Sequence, residues 1–131
     1  MSPTSEPFSC DTSLLHLDDD GTMAFHPKPS RMEHPLAAPW SDRGHLVSVC
    51  SYDRTWPYCE RHPSGDELAV VLDGHVELEL VDGEAEHVVP VAAGQACVIP
   101  RGSWHRALMH APSTMLFVTP TPALTEHQPD R

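Results

Sequence analysis

Two side chains able to do chemistry, Glu60 and His62, stand two residues apart in the stretch WPYCERHPSGDELAVVLDG at 56–74, and Glu67 follows five residues after His62. Side chains alternate along an extended segment, so Trp56, Tyr58, Glu60 and His62 share one face while Cys59 and Arg61 share the other. If the two aromatic residues look inward, a carboxylate and an imidazole go in with them. Burying an unpaired carboxylate costs several kcal/mol or forces it neutral, and His62 cannot serve as its counter-charge at neutral pH unless its own pKa is raised. A metal ion would satisfy both groups. Further on, GQACVIPRGSWHRALM at 94–109 holds His105 at the start of a strand, after a turn whose Gly94, Pro100 and Gly102 supply the backbone angles such turns need. Ala107 and Met109 share the face of His105, while Arg106 and Leu108 point away. His105 is thereby a candidate further ligand.

The elements that must position these groups are short. SLLHL at 13–17, the turn DDDG at 18–21 and TMAFH at 22–26 read as a hairpin. Strands are expected at 45–52, 56–62, 67–72, 75–80, 85–91, 95–100, 104–110 and 114–119, separated by DG at 73–74 and 82–83, AAG at 92–94 and PRG at 100–102. In HVELEL the residues Val76, Leu78 and Leu80 face one side and Glu77 and Glu79 the other, so one face lies in the core and one in water. No segment of comparable length carries a helical period. Evenly spaced short strands with tight turns make an all-β sandwich or barrel with few or no helices. Residues 1–44 divide into a leader, the hairpin and a Pro-rich arm (27–44), 45–119 form the barrel, and 120–131 are a polar tail.

At 131 residues the chain has the size of one domain. Its 14 prolines and 7 glycines favour turns over long helices. The net charge of -11, from 8 basic and 19 acidic residues, argues against nucleic acid and anionic membranes, which are bound through clustered Lys and Arg. MSPTSEPFSC has neither a basic head nor an apolar run, and nowhere is there an apolar stretch long enough to span a membrane, so the expected location is cytoplasmic. Cys10, Cys50, Cys59 and Cys97 show no CxxC spacing and read as small buried hydrophobes rather than bridges. The histidines outside the site pattern, such as His26, His45, His75 and His87, read as solvated.

His62-x4-Glu67-x6-Gly74 resembles the first cupin motif from its second His onward, and Gly94-x5-Pro100-x-Gly102-x2-His105 resembles the second motif up to its His. Each residue type involved makes up only a few per cent of an average chain, so their joint match at fixed spacing is a strong signal. The resemblance covers roughly 45–120. It implies a jelly-roll β-barrel with one divalent metal ion at its mouth, a small-molecule substrate or ligand, and often a homodimer. Carried over position by position, the ligands are Glu60, His62, Glu67 and His105. Arg54 stands where the motif's leading Gly would be, Glu60 where its first His would be, and Met109 where the final Asn of the second motif would be.

The exchange at Glu60 changes the chemistry. Two imidazoles with two carboxylates leave a divalent ion neutral, where the usual set leaves it positive, and oxygen donors favour iron or manganese while zinc and nickel tolerate mixed sites. If Glu60 stands aside, the remaining two-His, one-carboxylate set is the one used by non-haem iron enzymes, and Glu60 is a general base instead. Glu60 and Tyr58 are the candidate catalytic groups. Trp56, Tyr58, Trp104 and Met109 are candidates for a substrate pocket, and Arg101 for a clamp on a substrate carboxylate at the rim. Core packing is the competing role for the aromatic and Met side chains, and solvation for Arg101. The expected function is a mononuclear metalloenzyme acting on a small, largely apolar molecule by oxygenation, isomerisation or cyclisation. The alternative is a non-catalytic module that binds or senses a metal or metabolite.

Overall fold

Alternating apolar residues between glycine turns form strands throughout the computed structural model, which describes residues 5–28, 42–121 and 126–129. In chain order these are β1 (Ser13–Leu17), β2 (Met23–Pro27), β3 (His45–Tyr52), β4 (Tyr58–Arg61), β5 (Glu67–Asp73), β6 (His75–Asp82), β7 (Ala85–Ala92), β8 (Ala96–Ile99), β9 (Trp104–Met109), β10 (Ser113–Pro120) and β11 (Glu126–Pro129). All pair antiparallel, in a six-stranded sheet ordered β2-β1-β3-β10-β5-β8 and a five-stranded sheet ordered β11-β4-β9-β6-β7. This is an all-β, jelly-roll-like architecture, and no helix occurs among the described residues. None is therefore long and apolar enough to cross a membrane.

The core lies between the sheets. Val76 and Leu78 of β6, Ala107 of β9, Ala69 and Val71 of β5, and Met115 and Phe117 of β10 are buried together with Trp56, Val91 and Ile99. Fully burying a side chain the size of Val or Leu contributes roughly 1.5–3 kcal/mol, so this inward stripe is the main force closing the sheets. On the opposite face of β6, Glu79 pairs with Arg106 at 3.3 Å and Glu77 with His110.

Gly74 joins β5 to β6 at a φ of +93°, and a Cβ there would lie 2.3 Å from the Ser113 hydroxyl oxygen and 2.8 Å from the Pro112 carbonyl oxygen. That hydroxyl donates to the carbonyl of His75 and accepts from its amide, so the turn has no room for a side chain.

Several expectations change. Within the expected tail, residues 126–129 form β11, which adds to the edge of β4 with Gln128 opposite Cys59 and His127 opposite Glu60. Most of the expected arm, residues 29–41, lies outside the described residues, as do 1–4, 122–125 and 130–131. His16 is buried rather than solvated, since its Nε2 lies 2.8 Å from the Arg43 carbonyl in the seam between the N-terminal hairpin and β3. The four cysteines are unbridged, but only Cys59 is fully buried and Cys10 is exposed.

Candidate metal centre

β4 carries Glu60 and, one residue past its end, His62. Glu60 is the Cα partner of His105 on β9, and His105 is in turn the partner of Leu80 on β6. The Gly102 amide donates to the His62 carbonyl at 3.1 Å, which ties the turn before β9 to the end of β4. Glu67 comes from the other sheet, as the first residue of β5. The four side chains thus meet across the interior from both sheets, each offering a donor atom within 4.8 Å of the others.

The individual distances are shorter. His62 Nε2 lies 3.1 Å from Glu67 Oε2 and 3.6 Å from Glu60 Oε1, and His105 Nε2 lies 3.2 Å from Glu67 Oε1 and 3.5 Å from Glu60 Oε1. Two donors bound to one ion at about 2.0–2.3 Å stand about 3–3.5 Å apart, so the spacing suits a single ion between them. Side-chain exposure is 4% or less for His62, Glu67 and His105 but 14% for Glu60, which therefore marks the open side.

The protons decide what the cluster needs. His105 Nδ1 is 3.1 Å from the carbonyl of Ser103, which can only accept, so Nδ1 carries the proton of the neutral ring and Nε2 presents a lone pair to the carboxylates. Neither His105 Nε2 nor Glu67 Oε1 has a hydrogen-bond partner, although both are buried. Two lone-pair donors 3.2 Å apart call for a positive charge, either a second proton on the ring or a metal ion. Burial works against a charged ring, but the Glu60 and Glu67 carboxylates outweigh it and lift His62 to about 9 and His105 to about 10. Burial pushes the Glu67 carboxyl up, yet His105 and His62 together bring it below its ordinary value. A divalent cation answers the same demand as these protons, and the residues fit one.

The aromatic side chains divide. Trp56 is buried in the core, with Tyr58 stacked on it at 5.8 Å, Tyr52 edge-on at 5.5 Å and the His105 ring at 6.2 Å. Met109 is partly buried against the same cluster. Trp104 is placed elsewhere. It neighbours His105 along the strand, so its ring projects from the opposite face, where the Arg61 guanidinium covers it at 4.7 Å. The expected pocket role of Trp104 is corrected on that ground. Arg101 is exposed in the turn between β8 and β9 and holds the loop between His62 and Glu67, its Nε donating to the Pro63 carbonyl at 2.7 Å and its amide to Asp66 at 2.8 Å.

Three contributors were missed. Thr119 donates to Glu67 Oε2 at 2.6 Å, and its signal was parity, because the inward face that carries Met115 and Phe117 ends on a hydroxyl. Ser103 orients His105 through a backbone carbonyl, which no residue type announces. Tyr52 has its phenol pushed up, by burial first and then by Cys50, and it was read only as a strand end.

The family model described as the cupin domain matches residues 55–119. Solved structures similar in fold include a cupin-2 domain containing protein from Shewanella frigidimarina, 18% identical over 58% of this chain and 70% of that one, with a TM-score of 0.50. A hydroquinone 1,2-dioxygenase in complex with Cd2+ and 4-hydroxybenzonitrile is 24% identical over 61% of this chain and 60% of its own, at TM-score 0.50. The Bacillus subtilis oxalate decarboxylase, described for its Mn(II) centres, is 11% identical over 65% of this chain and 23% of its own, at TM-score 0.54. At these identities the likeness is one of fold. No curated protein matches the sequence.

Proposed function

Because this chain belongs to the cupin family, we propose that it holds one divalent metal ion between Glu60, His62, Glu67 and His105 and acts through it on a small, uncharged, largely apolar organic molecule. The observation that carries the reading is the convergence of four donor atoms within 4.8 Å of one another, three of the side chains being fully buried. An ion held there supplies Lewis-acid or one-electron chemistry, and the two carboxylates favour iron(II) or manganese(II) over softer metals.

The chain's own residues set the rest. The buried rings of Trp56 and Phe117, with the partly buried ring of Tyr52, make the interior beside His105 apolar. Among the described residues the cations are engaged away from it, Lys28 at the Val49 carbonyl, Arg43 at Asp18, Arg54 at Asp53, Arg61 on Trp104 and Arg106 at Glu79, with Arg101 alone at the rim. With two imidazoles and two carboxylates neutralising a divalent ion, nothing at the centre draws an anionic substrate, and an uncharged one fits better. Glu60, the most exposed of the four, is placed to take or return a proton at the mouth. Oxygenation, isomerisation and cyclisation all use these parts.

The test is metal analysis of protein purified without a nickel column, followed by oxygen uptake and product analysis with aromatic and diketone candidates. About one ion per chain and a turnover lost in Glu60→Ala or His105→Ala is the expected result. Absence of metal, with turnover indifferent to both substitutions, overturns it. A bound metal without turnover for any candidate transfers the site to the binding and sensing reading.

A further inference from the structure

Thr119 stands on β10 beside Glu67 on β5. Val118 is the Cα partner of Leu68, so the next step along the antiparallel ladder brings the two inward side chains together. The hydroxyl donates to Glu67 Oε2 at 2.6 Å, the short length of a hydrogen bond to an ionised carboxylate. Glu67 is only 2% exposed, so water does not compete for that oxygen. Its other oxygen, Oε1, is buried without a hydrogen-bond partner and lies 3.2 Å from His105 Nε2.

Oε2 in turn lies 3.1 Å from His62 Nε2, so each oxygen faces one ring and Oε2 alone also accepts a hydroxyl. Rotation about the last torsion of a Glu side chain is soft, and a free carboxylate would exchange its oxygens or bind an ion through both. We propose that Thr119 is a positioning residue of the metal centre, occupying one lone pair of Glu67 Oε2 so that the carboxylate is held in one fixed orientation between His62 and His105. The inference rests on the metal-site reading above and adds to it a determinant outside the four ligands. It also assigns a part in the site to β10, the neighbour of β5 in the six-stranded sheet.

The experiment uses cobalt(II) as the probe ion, added to the metal-free full-length protein and followed by its visible absorption and by competition with a chromophoric chelator. Thr119→Val keeps the shape and removes the hydroxyl, while Thr119→Ser keeps the hydroxyl. We expect Thr119→Val to weaken cobalt binding by about 10- to 100-fold, the range for a residue that orients a ligand. We also expect it to change the cobalt spectrum, as the carboxylate loses its fixed orientation. Thr119→Ser should restore both. If Thr119→Val fails to fold, Thr119→Ala asks the same question without added methyl groups. Wild-type affinity and spectrum in a folded Val or Ala variant overturn the proposal. Failure of the wild-type protein to bind cobalt at all strikes instead at the metal-site reading, so the two failures are distinguishable.

Discussion

Glu60 and His105 are Cα partners across β4 and β9, and the Oε1 of Glu60 stands 3.5 Å from Nε2 of His105. The same oxygen is 3.6 Å from Nε2 of His62. One carboxylate oxygen, on the most exposed of the four side chains, thus faces both rings, while Glu67 meets them from the opposite sheet. A cation there would tie β4 and β9 of one sheet to β5 of the other.

Removing either imidazole should therefore empty the site. His62→Ala and His105→Ala are each expected to lower metal affinity by more than about 100-fold, beyond the loss typical for residues that only support a ligand. Metal content per folded chain is the measurement. Full occupancy in His105→Ala would sink the assignment.

Protons and metal compete for the same atoms, and this gives a pH dependence with a definite sign. In metal-free protein His62 and His105 titrate at about 9 and about 10, above their ordinary 6.5. Their charged rings contribute stability that is complete below about pH 6.5 and is lost as pH rises through the folded values. Glu67, held below its ordinary 4.5, contributes above that value and loses it as pH falls through its lowered one. Metal-free protein should then show its highest Tm between these windows and a falling Tm from pH 7 to 9. Because a metal must displace ring protons, the Tm gap between metal-loaded and metal-free protein should widen over the same interval. A constant gap would contradict proton competition.

Gly74→Ala tests the turn that closes β5 onto β6. The backbone angle alone costs about 1–3 kcal/mol for a residue with a Cβ, and contact with the Pro112 carbonyl adds to it because backbone cannot swing aside. Thermal unfolding should shift down by several degrees. An unchanged Tm would mean the turn relaxes to a different conformation.

The barrel was legible in the sequence because alternation fixes faces strand by strand, as in β6, where Val76 and Leu78 are buried and Glu77 and Glu79 pair on the other side. The convergence of Glu60, His62, Glu67 and His105 was legible because they fall at fixed spacing before and after tight turns. What stayed hidden depends on cross-strand register. The approach of Thr119 to Glu67 spans 52 positions of sequence, and the carbonyl of Ser103 acts through backbone. The misplacement of Trp104 has a different origin. Alternation along β9 sets it opposite His105, where the Arg61 guanidinium covers its ring, so being next to His105 in sequence does not bring it to the interior.

Trp104→Ala follows from the corrected face. With the Arg61 guanidinium over its ring and β9 between it and the interior, its removal should leave metal content and the cobalt spectrum at wild-type values and lower only the Tm. Trp56→Ala makes the contrast, since a buried ring in the core costs about 3–5 kcal/mol to delete. A loss of bound metal in Trp104→Ala, in protein that is still folded, would return that side chain to the site.

The last prediction concerns the residue by which this site departs from its family. Glu60→His puts a third imidazole beside His62 and His105 and leaves a divalent ion positive where it is now neutral. Oxygen donors favour harder ions and imidazoles favour zinc, copper and nickel, so the variant should keep or raise total occupancy while its preference for manganese(II) over zinc(II) falls. Competition between the two ions, read by metal analysis after dialysis, gives the ratio. The substitution also removes one of the two carboxylates that raise the rings, so ring protons should compete with metal less at pH 7 than in the wild type. Occupancy lost in Glu60→His but kept in Glu60→Ala would place the Glu60 side chain outside the coordination sphere and leave it the role of a base at the mouth.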